Sequence, residues 1–253
     1  MHNIIKFILI IILINFILGF CIENFFDFEN IPKKYGDEIP DIKANATNKG
    51  VPKIIHHICP KDFRRWHPKW FGCYQSWLII FPKEEYTHMH WFDDKLEEVI
   101  NNDGFEWFLP TFQSYNVNIK RIDMVRPFIL YKYGGVYADM DIDVFKNFYD
   151  QLHEEKVSMC ESPYKGNENI TNCLMASPIG HNYWLLVIDR CYKYTTQYTL
   201  LSTGPQLYDK VHADHPDLVH ILPAHLFNPG PWYEENKDIY TKHYNTVQWD
   251  GSL

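Results

Sequence analysis

The sequence lacks the features that mark several large functional classes. It has no excess of positive charge: 24 Lys and Arg stand against 32 Asp and Glu, which gives a net charge of −8. A nucleic-acid-binding protein needs a basic surface to neutralise phosphates, so no nucleic-acid partner is expected. No internal repeat with a period of about 20 to 50 residues occurs, which disfavours a solenoid.

Several catalytic and metal-binding motifs are also missing. There is no Gly-x-Ser-x-Gly nucleophile elbow and no phosphate-binding P-loop. No Cys-x-x-Cys pair occurs, so the cysteines match no zinc pattern. In an oxidising lumen they predict one or two disulfides and a free thiol, and the alternative is that they are buried, reduced and packed as small hydrophobic residues. Outside the N-terminal segment they are Cys59, Cys73, Cys160, Cys173 and Cys191.

The composition is that of a folded domain. Of the 253 residues, 46% are hydrophobic, which is enough to bury a core and excludes a chain that is disordered throughout. The length allows one large domain or two small ones. The polar residues 23–50 show no sustained period and predict a stem or linker, so residues 51–253 are expected to form a single folded domain.

The N-terminus predicts a membrane segment. Residues 4–22 are apolar except for Lys6 and Asn15, and as a helix they would span about 28 Å, close to a bilayer core. The acidic flank that follows favours a cytoplasmic N-terminus and a translocated body. We therefore expect residues 1–22 to be a signal-anchor of a single-pass type II membrane protein of the secretory pathway, and the alternative is a cleaved signal peptide and a secreted protein. Sequons at Asn45 and Asn169 give weak support for translocation.

Strand-like and helix-like segments alternate along the body. Short β-branched runs predict strands at Val51–Ile58 and Tyr86–Trp91. Apolar spacing and helix stop signals predict helices at Lys69–Phe81, from about Asp93 to Asn101, and at Ile119–Tyr133. The alternation indicates an α/β fold with a mostly parallel central sheet, in which ligands bind at the carboxyl ends of strands.

An acidic segment is the most informative part of the chain. Val136–Phe145 is predicted as one strand, which would place Asp139, Asp141 and Asp143 on the same face. Three neighbouring carboxylates repel one another, and a divalent cation would compensate that charge, with Mn²⁺ or Mg²⁺ suited to oxygen ligands. The alternative is that the strand ends at Met140 and the later acids are solvated loop residues.

The preceding helix adds two charged residues. Asp123 and Arg126 are three positions apart and share a helix face, and Gly134-Gly135 leads directly from this helix into the acidic segment. We expect Arg126 to hold a diphosphate or a sugar and Asp123 to accept hydrogen bonds from sugar hydroxyls. The alternative is a surface ion pair of little consequence. Pro127 removes a backbone donor inside the helix and is expected to kink it.

These residues carry a resemblance to a known family. The stretch from Arg121 to Val144 reads Arg-x-Asp-x-x-Arg, then Tyr-x-Tyr-Gly-Gly-x-Tyr-x-Asp-x-Asp. It resembles family 32 of the glycosyltransferases, the DXD-containing sugar transferases, which includes fungal initiating mannosyltransferases and inositol-phosphoceramide mannosyltransferases. The sugar-transferring domains of large clostridial cytotoxins share the same core. Further segments that resemble the family are Val51–Ile58, Ser76-Trp77, Trp91–Asp94, Asn172–Trp184, Thr203–Pro205 and His243–Trp249.

The resemblance implies a fold and a reaction. The fold is GT-A-like, a Rossmann-like nucleotide-sugar-binding single domain. The reaction is a metal-dependent retaining transfer of a hexose from GDP-mannose or a UDP-sugar to a glycan, lipid or protein acceptor, with Mn²⁺ (or Mg²⁺) as the cofactor. By position it implies a metal centre of Asp139, Asp141 and His243. It implies Asp123, Arg126 and Asp141 as catalytic residues, and Asp123, Arg126, Asp139, Asn172 and Trp249 as substrate-binding residues.

Two other functions compete with this interpretation. Asp141-Ile142-Asp143-Val144 fits the first motif of haloacid-dehalogenase phosphatases, but that motif belongs near the start of a domain and here lies in the middle. The second alternative is a non-catalytic lumenal sugar-binding protein that kept the fold, which the many aromatic residues would also suit.

Overall fold

The computed structural model describes residues 50–101, 104–164, 169–193, 198–230 and 238–246. The predicted membrane segment 1–22, nearly all of the predicted stem 23–50, and Trp249 lie outside these residues. Among the helices of the described ranges, none has the length and apolar character needed to cross a membrane. The predicted domain boundaries and membrane anchor therefore stay predictions.

Eight strands are present in the described part of the chain, in two sheets. Six of them form the central sheet, in the order β2-β1-β3-β6-β5-β7, and β4 and β8 form a separate two-stranded ribbon. The strands are β1 (Ile54–Cys59), β2 (Thr87–Phe92), β3 (Gly135–Ala138), β4 (Ile142–Val144), β5 (Val157–Glu161), β6 (Ile170–Ser177), β7 (Val219–Leu222) and β8 (Thr241–His243).

The central sheet is mostly parallel, as the alternating pattern predicts. Strand β1 is parallel to β2 and β3, and β5 is parallel to β7. Strand β6 is antiparallel to both of its neighbours, β3 and β5, so the other strands all run in one direction. The carboxyl ends of β1 and β3 therefore meet at the same edge of the sheet, where ligands of such folds bind.

Helices cover the sheet and the connections between strands. They are α1 (Pro68–Ile80), α2 (Leu96–Ile100), α3 (Leu109–Ser114), α4 (Asn118–Tyr133), α5 (Asn182–Lys193), α6 (Thr199–Ser202), α7 (Pro205–Asp214) and α8 (Ala224–Phe227), with short 3-10 turns at Phe63–Arg65, Glu106–Phe108, Tyr149–Gln151 and Pro216–Leu218. The predicted helices at Lys69–Phe81 and Ile119–Tyr133 are thus confirmed within one residue. Helix α2 begins three residues after the predicted start at Asp93, because a turn closed by Lys95 N and Phe92 O precedes it.

An aromatic core fixes the ribbon against the sheet. Trp77 of α1 stacks on Phe81, with ring centroids 5.4 Å apart, and Phe148 meets Phe81 edge-on at 5.3 Å. The indole N–H of Trp77 donates to the carbonyl of Ile142 at 2.8 Å. Because Trp77 is completely buried, this hydrogen bond fixes the start of β4 and hence the distance between the ribbon and the end of β3.

The double glycine joins α4 to β3 as the sequence indicates. Gly134 ends α4 with φ of 61°, and Gly135 starts β3 with φ of 84°, both in the region that favours glycine. A Cβ at Gly135 would lie 2.5 Å from the carbonyl oxygen of Ile54. Helix α4 runs on through Pro127 and keeps Arg126 buried. The side chains of α4 therefore reach the edge of the sheet where β3 ends.

The prediction of one strand from Val136 to Phe145 is wrong. Strand β3 ends at Ala138, a turn closed by Ile142 N and Asp139 O follows at 3.2 Å, and β4 then pairs with β8 rather than with the central sheet. The alternation of apolar and acidic residues continues through the turn because Met140 is buried there. Asp139 and Asp141 come together through this turn, and not through the period of a strand.

The five described cysteines are buried and reduced, as the second of the two expectations had it. Cys59, Cys73, Cys160, Cys173 and Cys191 are all buried and free. The expectation of one or two disulfides among them is therefore wrong for the described residues. Burial among apolar neighbours raises the pKa of the Cys160 and Cys191 thiols well above the ordinary value, so these two residues pack as small neutral side chains.

Candidate donor and metal site

Two acids and a histidine meet at the turn after β3. Asp139 is held by its own amide, which donates to the carbonyl of Cys173 on β6 at 2.9 Å. His243 reaches the turn because β8 pairs with β4 and places His243 opposite Ile142. One potential ligand atom from each of Asp139, Asp141 and His243 lies within 4.8 Å of the other two. The structure thus brings together the three residues predicted to bind a metal.

Asp141 is fixed by the segment that follows β8. His243 Nε2 lies 3.1 Å from Asp141 Oδ1, and the backbone amide and hydroxyl of Thr246 donate to Oδ2 at 2.7 Å and 2.9 Å. Asn245 adopts a left-handed conformation, with φ of 50°, between these two partners. Trp70 of α1 donates its indole N–H to the Thr246 hydroxyl at 2.8 Å. Both carboxylate oxygens of Asp141 therefore have defined orientations.

Arg126 joins the acids on the other side of the site. Its NH1 lies 3.1 Å from Asp123 Oδ1 and its NH2 lies 2.9 Å from Asp139 Oδ1. NH1 also donates to the carbonyl of Asn172 at 3.0 Å, and the guanidinium lies over the ring of Tyr137. Arg126 is buried, so its charge acts in a medium of low dielectric and compensates both acids. The alternative of a surface ion pair between Asp123 and Arg126 is wrong.

Neutral groups complete the support of the two acids. The amide of Asn172 donates to Asp123 Oδ1 at 3.2 Å, and the hydroxyl of Tyr137 donates to Asp139 Oδ1 at 2.7 Å. Tyr208 of α7 donates its hydroxyl to the backbone carbonyl of Asp123 at 3.2 Å. These groups hold the carboxylates in place from the sheet and from α7, so that each acid has partners from more than one element.

The electrostatics of the three acids differ. Burial raises the pKa of Asp123 to about 7, against the opposing effect of Arg126. Burial likewise raises the pKa of Asp139, and Asp141 adds to this, while Arg126 opposes it. At Asp141 burial is outweighed by His243 and by the Thr246 donors, which hold its pKa below the ordinary value. Asp141 is therefore the acid that is most firmly ionised.

The charge on Asp141 also acts on His243. Burial opposes protonation of this imidazole, but the neighbouring Cys173 and Asp141 outweigh it and raise the pKa of His243 well above its ordinary value. Without a cation, a proton on His243 balances part of the negative charge of the site. A bound cation would take over that balance and leave the imidazole neutral as a ligand.

The acids, Arg126, Asn172 and His243 open onto one cavity of about 580 Å³. Its polar wall includes the acids, the arginine, the asparagine and the histidine described above, and Ile119, Ile122 and Leu200 contribute apolar surface. A cavity of this size is in the range of small-molecule sites. It lies where β3 ends, at the edge of the sheet where nucleotide ligands of α/β folds bind.

The donor set fits a divalent metal ion. Two carboxylates and one imidazole suit Mn²⁺ better than Mg²⁺, which prefers oxygen ligands alone. Asp139 and Asp141 come from one turn, and the pairing of β8 with β4 brings His243 to them from about a hundred residues later in the chain. The site thus has the chemistry that a cation requires, together with hydrogen-bonded partners that orient each ligand.

Six of the residues predicted for the site lie around one cavity. Asp123, Arg126, Asp139, Asp141, Asn172 and His243 line the same cavity. Asp143 is not part of it: it lies on β4 opposite Lys242, with the Tyr244 hydroxyl 3.5 Å away. The alternative was that the later acids are solvated loop residues. It is wrong for Asp141, which is buried, and for Asp143, which lies in strand β4.

Three supporting residues were missed by sequence reasoning. Tyr137 stands two positions before Asp139 in the acidic motif, and Thr246 stands three positions after His243, so both had a positional signal. Nothing in the sequence points to Tyr208, because its contact with Asp123 depends on how α7 packs against α4.

A family model matches the part of the chain that contains most of the site. Residues 67–159 match the model described as a glycosyltransferase sugar-binding region containing a DXD motif. This range contains Asp123, Arg126 and the Asp139-x-Asp141 turn. Over this range the chain is similar to the DXD-containing glycosyltransferases. The phosphatase interpretation of Asp141–Val144 is set aside, because the same residues lie inside the matched glycosyltransferase region.

Curated relatives point to the same family. Inositol phosphoceramide mannosyltransferase 3 of Schizosaccharomyces pombe is 32% identical over 71% of this chain and 48% of the relative. Mannosyl phosphorylinositol ceramide synthase CSH1 of Saccharomyces cerevisiae is 33% identical over 61% of this chain and 40% of the relative. The chain spans about half or less of the length of these relatives.

A solved structure confirms the fold. The PaToxG glycosyltransferase superimposes with a TM-score of 0.54 at 15% identity, covering 66% of this chain and 71% of that one. At this identity the likeness concerns the fold alone. Together with the mostly parallel sheet and the family match, it confirms the predicted α/β fold of the GT-A type.

Proposed function

We propose that this protein is a metal-dependent mannosyltransferase that moves mannose from GDP-mannose to the inositol phosphate headgroup of a ceramide lipid. The observation that carries the proposal is the opening of the Asp139–Asp141–His243 cluster onto the cavity that Asp123 and Arg126 also line. A diphosphate needs a cation beside it, and the sugar attached to it needs hydrogen-bonding groups nearby. The cavity offers both within one space.

Asp139, Asp141 and His243 would hold the cation, which is Mn²⁺ in this proposal. A divalent cation bound there stabilises the negative charge that develops on the leaving diphosphate oxygen. The Thr246 donors keep Asp141 oriented and ionised. Arg126 and Tyr137 orient Asp139 from the other side.

Asp123, Arg126 and Asn172 would bind the sugar of the donor. Asn172 and Arg126 both reach Asp123 Oδ1, so the other oxygen of this carboxylate remains available to accept from a sugar hydroxyl. The Nε atom of Arg126 is buried and has no hydrogen-bond partner among the described residues. That donor is available to an oxygen of the ligand. Asp139 and Trp249 complete the substrate-binding set carried over from the resemblance, and Trp249 lies outside the described residues.

The choice of mannose and of a ceramide acceptor in this proposal is supported by the names of the two relatives described above. One relative is named as an inositol phosphoceramide mannosyltransferase, and the other as a mannosyl phosphorylinositol ceramide synthase. The apolar part of the cavity wall, with Ile119, Ile122 and the partly exposed Leu200, suits an acceptor that carries a lipid. A UDP-sugar donor and a glycan or protein acceptor are the outcomes to be tested against this proposal.

The stereochemistry and the cellular location are part of the same proposal. The family resemblance implies retention of the anomeric configuration, which NMR of the product at the anomeric proton would measure. The acceptor is a membrane lipid, which agrees with the predicted N-terminal signal-anchor and a lumenal domain of a type II membrane protein. Protease protection of the domain in sealed microsomes would test this location, and digestion without detergent would contradict it.

A donor and acceptor screen tests the proposal. The full chain is incubated with Mn²⁺, inositol phosphoceramide in detergent micelles, and radiolabelled GDP-mannose or UDP-sugars in parallel. We expect label in the lipid fraction from GDP-mannose, and none after the metal is removed with a chelator. A chain that neither transfers nor hydrolyses any of these donors, while GDP-mannose still raises its melting temperature, would instead be the non-catalytic sugar-binding protein.

A further inference from the structure

The ladder between β1 and β3 stops just before the Asp139–Asp141 turn. Its register pairs Ile55 with Val136 and His56 with Tyr137, and goes no further. On the other side β3 remains paired, because Ala138 lies opposite Leu174 of β6. On the β1 side a side chain replaces the ladder: Nδ1 of His57 lies 2.9 Å from the carbonyl oxygen of Ala138.

The geometry fixes the tautomer of His57. A carbonyl oxygen only accepts, so Nδ1 carries the proton and Nε2 does not. Nε2 is buried and has no hydrogen-bond partner among the described residues. Burial and the neighbouring His90 lower the pKa of His57 well below the ordinary value, so the ring is neutral at physiological pH. An unpaired buried acceptor costs about 1 to 3 kcal/mol, so the fold carries this ring at a cost.

The ring of His57 has little freedom to move. It meets Trp77 edge-on at 5.4 Å and Tyr74 edge-on at 5.9 Å. Trp77 in turn donates to Ile142, the first residue of β4. The same side-chain layer therefore contacts the backbone on both sides of the turn, before Asp139 through His57 and after Asp141 through Trp77.

We propose that His57 is a positioning residue for the metal centre, acting through its hydrogen bond to Ala138, the residue before Asp139. This inference rests on the proposed function, because it concerns the same Asp139–Asp141–His243 cluster. His57 and the Cys173 carbonyl hold the backbone at residues 138–139 from opposite sides. Without the His57 donor, the Ala138 carbonyl loses this partner, the peptide is held from the Cys173 side alone, and Asp139 gains freedom to move relative to Asp141 and His243.

The chain contains a matched control for this claim. His56 is equally buried, lies on the same strand, and donates from Nε2 to the carbonyl of Gly134 at 2.9 Å. Trp91 donates to its Nδ1 at 3.1 Å, which fixes that tautomer. Gly134 precedes the other end of β3, away from the turn. Loss of the His56 bond therefore destabilises the same strand without acting on Asp139.

The experiment compares three variants of the full chain: His57→Leu, His57→Asn and His56→Leu. Mn²⁺ binding is measured by the electron paramagnetic resonance signal of free Mn²⁺, and amide hydrogen exchange is followed without metal. We expect His57→Leu to weaken Mn²⁺ binding about tenfold or more and to speed exchange at residues 139–141. His57→Asn keeps a donor close to the Nδ1 position, so it should recover most of the Mn²⁺ affinity and most of the protection from exchange. His56→Leu should lower stability but leave Mn²⁺ affinity within about twofold.

The two readouts separate this inference from the proposed function. Equal Mn²⁺ affinity and equal exchange at residues 139–141 in His57→Leu and His56→Leu would overturn the positioning role. If the wild-type chain binds no Mn²⁺, the metal part of the proposed function fails, and the exchange pattern alone decides about His57. Should His57→Leu not fold, His57→Phe replaces it, because a phenyl ring keeps the contacts with Tyr74 and Trp77 and has no donor.

Discussion

The two sides of the candidate site are built in different ways. On one side α4 and the turn after β3 supply Asp123, Arg126 and Asp139 from one continuous stretch that contains two glycines, and a buried guanidinium compensates the acids. On the other side Asp141 is held by His243 and Thr246, about a hundred residues later in the chain, through the β4–β8 ribbon.

This difference has an electrostatic consequence. The arginine side contains acids whose pKa is raised by burial, whereas Asp141 on the ribbon side has a lowered pKa. In the proposed function, the ribbon side would supply a firmly ionised ligand for a cation, and the arginine side would supply a charge-balanced wall for the sugar. The first three predictions below each change one of the two sides, and the fourth changes a buried residue outside both.

Asp141→Asn should have the largest effect. It removes the most firmly ionised ligand but keeps the shape of the side chain, so we expect mannose transfer to fall by more than about a hundredfold, beyond the loss typical of a residue that only orients a ligand. Initial rates at saturating Mn²⁺ measure this. Asp143→Asn is the matched control, since it changes an acid of the same segment outside the cavity and should keep activity within about twofold. Equal losses in the two variants would contradict the assignment.

Arg126→Lys tests the arginine side. A lysine keeps the charge but cannot bridge Asp123 and Asp139 together, so we expect a loss of about 10- to 100-fold in kcat. The free energy of unfolding should fall by about 3 kcal/mol, because a buried charge network is broken. Rates and urea unfolding measure the two effects. Arg121→Lys is the matched control, because the Arg121 side chain donates to the Tyr115 carbonyl from a half-buried position. It should change neither kcat nor the free energy of unfolding. A similar loss in this variant would show that the effect is not specific to Arg126.

Thr246→Val tests the ribbon side with a smaller change. It removes the hydroxyl that donates to Asp141 but keeps the backbone donor and the side-chain volume. We expect Mn²⁺ affinity to fall about tenfold, since partners that orient a metal ligand contribute about that much. Thr246→Ser restores the hydroxyl and should restore the affinity. A valine variant with unchanged Mn²⁺ affinity would show that the backbone amide alone orients Asp141.

His90→Phe should leave activity unchanged and alter only the pH dependence of stability. Burial lowers the pKa of His90 from 6.5 to about 3, and both ring nitrogens lack hydrogen-bond partners among the described residues. Between these values the unfolded chain binds a proton that the folded chain does not, so stability falls as the pH falls. The variant removes this loss and should gain about 2 kcal/mol near pH 5 relative to pH 7.5. Urea unfolding at both pH values measures it, and an equal change at both would contradict the shift.

The contiguous side of the site could be predicted from the sequence. Asp123 and Arg126 share a helix face, and Gly134-Gly135 forces the chain directly from α4 into β3, so local rules place these residues near Asp139. The proposed metal ligand His243 could be named only through the family resemblance, because its position depends on the pairing of β8 with β4. Local sequence carries no information about a pairing partner so distant in the chain.

The sequence could not decide whether the acidic strand breaks, although the alternative of an end at Met140 comes within two residues of the observed end at Ala138. Met140 is buried in the turn, just as an apolar residue would be buried in a strand. The alternation of apolar and acidic residues therefore continues through the turn, and nothing in it marks where the strand ends. The supporting residues Thr246, Tyr208 and His57 act through side-chain contacts between elements, which only the packed fold defines. Whether the cysteines are free or paired also depends on the packed fold, because their burial and not their spacing in the sequence decides it.

The dependence of GDP binding on Mn²⁺ tests the central claim most directly. Isothermal titration calorimetry would measure the Kd of GDP for the wild-type chain and for Asp141→Asn, each with and without Mn²⁺. The account predicts that Mn²⁺ tightens GDP binding to the wild type by about tenfold or more, equivalent to about 1.4 kcal/mol or more, and has no such effect on Asp141→Asn. A GDP affinity that is the same with and without Mn²⁺ in the wild type would contradict it.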